Sequence, residues 1–500
     1  MTERRFAVIG SGASAVGIIR GLHNSGCKEK ITVFEKSNVL NSEYSSSTPP
    51  ITWTDDYLLA LYGEIKSNFG FKFPPPKTYF GLAPEKINIK DWGSIWQSSS
   101  LGGLTNFWGG SVLPYPESEF LDWPINRKDL DFHYRAISEN LIISGSKDKI
   151  NEIVGNDFIS APPILNLPVI QSLKLSINNA VNLPSDFFIA AGSSRLALET
   201  RVAKNNRCTF CGQCMLGCYA KSIYSAADDI NHFISKAKIS LIKSEVKSVN
   251  ISTGRIILEN GENHKFDKVF IAAGCVNTTK LVMDSLGLSS GVSMYDNSVY
   301  TFPIFYFGPS LSSVNNQEYF SLTNMIAIAG SRKNKYSNAF VQVYPFFDHM
   351  WRSFIPVSYW RYFNGIASIL RGRLMWGRIY LDGNHSQKYS FSRGRNRLIS
   401  LDLEIPGNFK NEALWYWNNI RKSFGQKNFY VPPILPLKHN TSSHYASTFP
   451  MGGKDVSSNG SLSSKVYICD GAVLNSASSI SPTFTIMANA HRIAYEANNL

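Results

Sequence analysis

The stretch Arg5-Phe6-Ala7-Val8-Ile9-Gly10-Ser11-Gly12-Ala13-Ser14-Ala15 decides the fold of this chain. Arg5 to Ile9 is a short apolar run that reads as a buried parallel strand. Gly10 permits a tight turn, Gly12 lets a backbone approach a pyrophosphate, and Ala15 packs a helix against the strand. Val16, Ile18, Ile19 and Leu22 then recur at helical spacing. The first turn of that helix, with Ser14 in it, offers free N–H groups and a positive dipole end to phosphates. A second strand, Ile31-Thr32-Val33-Phe34, ends in Glu35. That acid stands 20 residues beyond Ala15, the spacing at which a carboxylate accepts hydrogen bonds from an adenosine ribose. Strand, turn, helix, strand and acid in this order predict dinucleotide binding. The motif by itself does not separate NAD from FAD, whereas Glu35 would repel the 2′-phosphate of NADP.

Around this motif the chain is globular. It has 500 residues, 43% of them hydrophobic and 17% charged, which suits roughly three folded units and not a disordered chain. Lys and Arg exceed Asp and Glu by a formal charge of +13, which permits an anionic partner without choosing one. Nucleic acid is a poor fit, because no binding fold or groove-reading basic cluster is present. With a strand expected from residue 6, the opening MTERRF predicts no signal sequence, and no run approaches about 18 uninterrupted apolar residues. The expected compartment is therefore the cytoplasm, where thiols stay reduced.

Near the other end, Val466-Tyr467-Ile468-Cys469-Asp470-Gly471 reads as a strand ending in an acid at a turn. Ser481-Pro482-Thr483 then opens a helix, with Pro482 suited to its first turn. Upstream stands His444-Tyr445-Ala446-Ser447-Thr448-Phe449-Pro450-Met451-Gly452. This tail resembles the glucose–methanol–choline (GMC) family of FAD oxidoreductases. Their signature H-x-x-G-T-x-x-M-G is matched at His444, Thr448, Met451 and Gly452, with Ser447 in the place of a glycine. Leu101-Gly102-Gly103-Leu104-Thr105-Asn106-Phe107-Trp108-Gly109-Gly110 resembles the loop that runs beside the flavin in that family. Asp122-Trp123-Pro124-Ile125 and Lys268-Val269-Phe270-Ile271-Ala272-Ala273-Gly274 resemble two further segments. The anchors span the chain, although residues 290–440 carry no recognisable motif.

The resemblance implies an α/β protein, in which a Rossmann-like FAD-binding domain interleaves with an α+β substrate-binding domain. The first would comprise residues 1–115, 195–290 and 455–500; the second would comprise 116–194 and 291–454. It implies FAD as cofactor, held by Gly10, Gly12, Ser14, Ala15 and Glu35, by Asn106 and Trp108, and by Val246, Ala273 and Gly274. Asp470, Gly471, Pro482 and Thr483 would complete the cofactor site. The implied activity is oxidation of the CH–OH group of an alcohol, sugar-like or lipid-like, with hydride passing to flavin N5. An imidazole suits removal of the hydroxyl proton, and His444 is the candidate base. The family places a second His or Asn beside it, and here that position falls on Ser481. Serine donates and accepts, but it has a shorter reach and is no base near neutral pH. A bridging water, a substituting neighbour, or weakened alcohol chemistry would each accommodate it. The last option leaves an electron-transfer or cofactor-binding flavoprotein as the competing function. Electrons would go to a carrier protein, a quinone or O2.

Two further features bear on function. Cys208, Cys211, Cys214 and Cys218 have C-x2-C-x2-C-x3-C spacing, the iron–sulfur run of bacterial ferredoxins, with Tyr219 where proline usually follows. The spacing admits an iron–sulfur cluster, a reduced structural loop, or zinc or a redox disulfide. Residues 344–380 mix aromatics such as Tyr344, Trp351, Trp360 and Trp376 with Arg352, Arg361, Arg371, Arg373 and Arg378. That composition suits peripheral contact with anionic lipid, or an aromatic pocket with a solvated arginine face.

Overall fold

A computed structural model describes residues 4–36, 85–89, 93–164, 167–212, 214, 218, 220–309, 322–333, 338–346, 359, 362–363, 366, 369–383, 387–393, 399–405, 407, 409–434, 436–439 and 442–500. Five strands, β1 (Phe6–Ile9), β2 (Ile31–Glu35), β3 (Ile239–Lys243), β4 (Lys268–Ile271) and β5 (Val466–Ile468), form one parallel sheet in the order β5-β4-β1-β2-β3. Every residue of β1 is buried, as an all-apolar strand covered on both faces must be. It pairs with both neighbours in one register, Phe6 opposite Ile31 on one side and Lys268 on the other.

From β1 the chain winds outward through β2 to β3, then returns to the far side of β1 as β4. The order therefore reverses between β1 and β4. A crevice opens at the carboxyl ends of strands at such a switch point, and doubly wound sheets bind their ligands there. The return from β3 to β4 is made through a small antiparallel sheet of Val246–Asn250, Arg255–Leu258 and Asn263–Lys265.

Helix α1 (Ala13–Asn24) leaves the glycine turn, and α2 (Thr483–Asn499) crosses it closely. A side chain on Gly17 would stand 2.5 Å from the Met487 carbonyl oxygen, so this glycine sets the separation of the two helices. The first and last helices of the chain are thereby packed together above one sheet.

The second unit is an antiparallel sheet of Phe429–Tyr430, Val299–Tyr306, Leu374–Leu381, Asn338–Pro345, Met325–Ser331 and Phe187–Ser193, with Leu437–His439 paired to Val299–Tyr306. Helices Pro168–Asn178 and Phe409–Phe424 cover one face. Phe302, Ile304, Val341, Val343, Ile379 and Leu381 face those helices in one apolar core. Strand alternation then turns Gln342, Tyr344, Arg378 and Tyr380 to the opposite face, toward the parallel sheet.

The mixed α/β class with two interleaved sheets is as the sequence predicts. The parallel sheet draws its strands from residues 6–35, 239–271 and 466–468, and the antiparallel sheet from 187–193, 299–381 and 429–439. Within the aromatic and basic segment, Tyr344, Phe346 and Arg378 are buried, whereas Tyr359, Tyr362, Ile366 and Ile369 are exposed. Trp351, Arg352, Trp360 and Arg361 lie outside the described residues, as do Pro74-Pro75-Pro76. Among the described residues, no helix is long and apolar enough to cross a membrane.

Candidate active site

One cavity of about 980 Å³ lies at the switch point between the two sheets. Of the residues expected to bind the cofactor, Gly10, Gly12, Ser14, Glu35, Trp108, Val246, Ala273, Gly274, Asp470, Gly471, Pro482 and Thr483 line it, and so do His444 and Ser481. Ala15 is fully buried behind the turn, consistent with a packing role. Asn106 is not among the lining residues. Its amide donates to Leu101 O at 2.8 Å and accepts from Ser225 Oγ at 2.8 Å, so it braces the loop whose Thr105, Phe107 and Trp108 face the cavity. The indole N–H of Trp108 is in turn fixed on Tyr224 O at 2.9 Å.

The cofactor end is built from backbone. Gly10 has φ 103°, and a Cβ there would stand 2.3 Å from Ala272 O, so the β1 turn and the β4 turn touch through glycine alone. A Cβ on Gly12 would meet nothing nearer than Gly102 O at 4.0 Å. The space it would take is the cavity itself. Gly12 is also the N-cap of α1, with no side-chain cap and no acid in the first turn. The first-turn N–H groups thus point into a site suited to a pyrophosphate. Glu35, at the end of β2, accepts from Ser11 Oγ at 2.5 Å, and Ser11 Oγ also accepts from Gly102 N at 3.2 Å. On the far side, Asp470 accepts from Gly274 N at 2.9 Å, Thr278 Oγ1 at 2.5 Å and Ala472 N at 2.9 Å. Burial raises its carboxyl to about 6 despite these donors. An uncapped helix end, an acid at the end of β2 and glycine walls fit the FAD that the sequence resemblance implies.

The reactive end is organised by Asn297, which sequence reasoning missed. Asn297 is fully buried, and its Nδ2 donates to the carbonyls of Leu381 at 2.9 Å, Ala477 at 3.1 Å and Ser478 at 3.0 Å. Three acceptors around one nitrogen fix the amide, so its Oδ1 is the atom that faces His444 Nδ1 at 2.9 Å. The proton of the imidazole therefore sits on Nδ1, and Nε2 is the basic nitrogen. The ring also stacks on Tyr380, with centroids 5.3 Å apart and planes at 18°. Asp296 holds the loop from beneath, accepting from Ser442 N at 2.9 Å, His444 N at 3.1 Å and the Ser442 hydroxyl. Ser481 is 6% exposed, and its hydroxyl takes no hydrogen bond from the described residues. Because Asn297 bonds both His444 and the Ala477–Ser478 backbone, it ties the imidazole to the loop that delivers Ser481.

The same loop rests on a buried carboxyl, Glu119, which accepts from Ser478 Oγ at 2.7 Å and Ser476 Oγ at 3.2 Å. Burial pushes this carboxyl well above the usual range, against the pull of the two hydroxyls. A raised carboxyl favours folding below its unfolded pKa and loses that advantage as pH rises through its folded value. Glu119→Gln should therefore be about as stable as the natural protein at pH 4.5. At pH 8 it should be more stable, by about 1–3 kcal/mol, in urea denaturation. A gain that does not grow with pH would contradict a titrating buried Glu119.

Ser447, where the family signature has glycine, adopts φ 68°, and its hydroxyl is buried without a hydrogen-bond partner. A non-glycine residue in the left-handed region costs about 1–2 kcal/mol. Ser447→Gly is expected to raise stability by about 1 kcal/mol in thermal unfolding, and a fall in Tm would show that the hydroxyl contributes more than the strain costs.

The cysteine run lies behind the cavity wall. Cys208, Cys214 and Cys218 pack with Leu196, Leu198, Trp108, Tyr344 and Trp376, and Ser222 N donates to Cys218 Sγ at 3.2 Å. None of the seven cysteines is in a disulfide. Among the described residues, which include all four thiols of the run, no three His, Cys, Asp or Glu side chains are placed to hold a metal ion.

Structural comparison bears on the whole assembly. Over 99% of this chain and 99% of the other, the structure is similar to pyridoxine 4-oxidase from Mesorbium loti, with a TM-score of 0.61 at 12% sequence identity. It is also similar to two variants of formate oxidase from Aspergillus oryzae RIB40, studied for the effect of mutation on FAD modification. Their TM-scores are 0.57 and 0.60 at 11% identity, over 100% and 99% of this chain and 99% and 98% of theirs. This chain has their fold. The resemblance to the GMC oxidoreductases read from the tail and the glycine turn thus holds at the level of architecture. No protein-family model matches the sequence, and comparison with curated proteins finds no match.

Proposed function

We propose that this protein is an FAD-dependent oxidoreductase acting on the CH–OH group of an alcohol. The observation that carries the reading is the fixed tautomer of His444. Its Nδ1–H is held by Asn297, and its basic Nε2 belongs to a ring lining the same cavity as the glycine turn. Bound FAD would supply the two-electron oxidant. His444 Nε2 accepts the hydroxyl proton of the substrate, a step worth roughly 10²–10⁴-fold in rate for a positioned base. Asn297 keeps the imidazole in register during that transfer, and Tyr380 limits its rotation. Ser481 orients the substrate oxygen as donor or acceptor. The two neighbours are oxidases by name, which supports O2 over a carrier protein or quinone as electron acceptor.

For the four thiols, the reading supported best is a reduced loop that braces the wall formed by Trp108 and Tyr344. Iron and acid-labile sulfide in the purified protein, with a broad absorbance lost in Cys211→Ser, would replace it with a cluster that drains electrons.

Anaerobic mixing of the FAD-loaded protein with a panel of primary and secondary alcohols tests the activity. Bleaching of the flavin bands by at least one alcohol is expected. A flavin that light reduces but no alcohol does would favour an electron-transfer or cofactor-binding flavoprotein, the reading that Ser481 motivates.

A further inference from the structure

The sheet face that walls the substrate end of the cavity carries a cation. Arg378, on the strand Leu374–Leu381, is 3% exposed and lines the cavity with His444 and Ser481. Its guanidinium carbon lies 5.2 Å from the centroid of the Tyr380 ring, and that ring stacks on His444. Guanidinium and imidazole are thus one aromatic ring apart. Gln342 is the cross-strand partner of Arg378, and Tyr344, two residues along the same face, donates to Gln342 Oε1 at 2.7 Å. Burial raises the Tyr344 hydroxyl, and the nearby Arg378 charge opposes that rise. Thr323 lines the cavity too.

This polar face needs a reason. The opposite face of the same two strands, Val341, Val343, Ile379 and Leu381, is wholly apolar, so the strands do not require polar residues to pack. A wall built for an apolar alcohol would be apolar on both sides. The planar guanidinium fork of five donors matches a carboxylate in a two-point contact.

We propose that the substrate is a hydroxy acid: its carboxylate lies on the guanidinium of Arg378, beside Tyr344 and Gln342, while its carbinol is presented to His444. The inference deepens the alcohol-oxidation reading and rests on it for the identity of the reacting end. One aromatic ring between the two groups suits a short-chain hydroxy acid better than a sterol or a sugar.

Calorimetric titration of the FAD-loaded protein with sodium butyrate and with butyramide, its neutral counterpart, isolates the carboxylate contact from turnover. Butyrate is expected to bind at least about 10-fold more tightly than butyramide, the size of one charge-assisted contact. Arg378→Met should weaken butyrate by about 30-fold and leave butyramide within about 3-fold, and Arg378→Lys should fall between. Equal binding of the two probes to the natural protein would overturn the proposal whether or not the variants fold. So would butyrate binding that survives Arg378→Met, or a site that takes inorganic phosphate in preference to butyrate. Neither probe has a carbinol. Butyrate binding with no alcohol oxidised would therefore refute the oxidation reading alone, and oxidation of neutral alcohols with no butyrate binding would refute the hydroxy-acid assignment alone.

Discussion

His444→Ala is expected to lower kcat by roughly 10²–10⁴-fold while FAD binding and photoreduction are retained. The contacts of Ser11 with Glu35 and of Gly274 with Asp470 at the cofactor end do not involve the imidazole. Loss of the ring deprives Asn297 Oδ1 of its main donor and leaves the Ser442 hydroxyl at 3.4 Å, so a stability loss of about 1 kcal/mol should accompany the kinetic effect. Asn297→Ala should slow turnover as well, because the imidazole loses its tautomer and the Ala477–Ser478 carbonyls lose their donor. Stopped-flow reduction under anaerobic conditions reads these steps directly. An unchanged reduction rate in His444→Ala would remove this residue from the mechanism.

Gly10→Ala is the second large effect, and it acts on the cofactor and the fold together. The new methyl would sit 2.3 Å from the Ala272 carbonyl oxygen, with the backbone at φ 103°. Left-handed strain costs about 1–2 kcal/mol, and forcing atoms into a packed contact adds about 1–3 kcal/mol. Relief requires the β1 and β4 turns to separate, which widens the crevice where the pyrophosphate would lie. The expected result is a Tm lowered by several degrees with FAD retention on gel filtration largely lost. A variant that keeps both would mean that the turn has room the structure does not show.

The parts of this protein that were legible in the sequence are local. The β1 turn, α1, β2 and Glu35 lie within 30 residues of one another, and their spacing alone determines what they form. His444, Asp470 and Ser481 were found because short motifs carry them. Asn297 was not, since it sits 147 residues from His444 and no periodicity links the two. Asn106 shows the opposite limit: its loop lies beside the cavity, but its amide is turned inward to Ser225, a contact 119 residues away. Arg378 had a readable signal that composition obscured. Grouped with its neighbours it suggests a basic surface. Read by alternation against Ile379 and Leu381, it falls on the face opposite the apolar core and is buried. Part of the surplus of +13 thus faces the cavity, where Arg378 and Arg393 both line the wall.

The most direct test of the account is the cofactor content of the purified protein. Heat-released chromophore, separated by chromatography, should be FAD at close to one per chain, or apoprotein should take up FAD to that ratio with quenching of its tryptophan fluorescence. A colourless protein that binds neither FAD nor any other dinucleotide on titration would contradict the account at its foundation, in the glycine turn from which it begins.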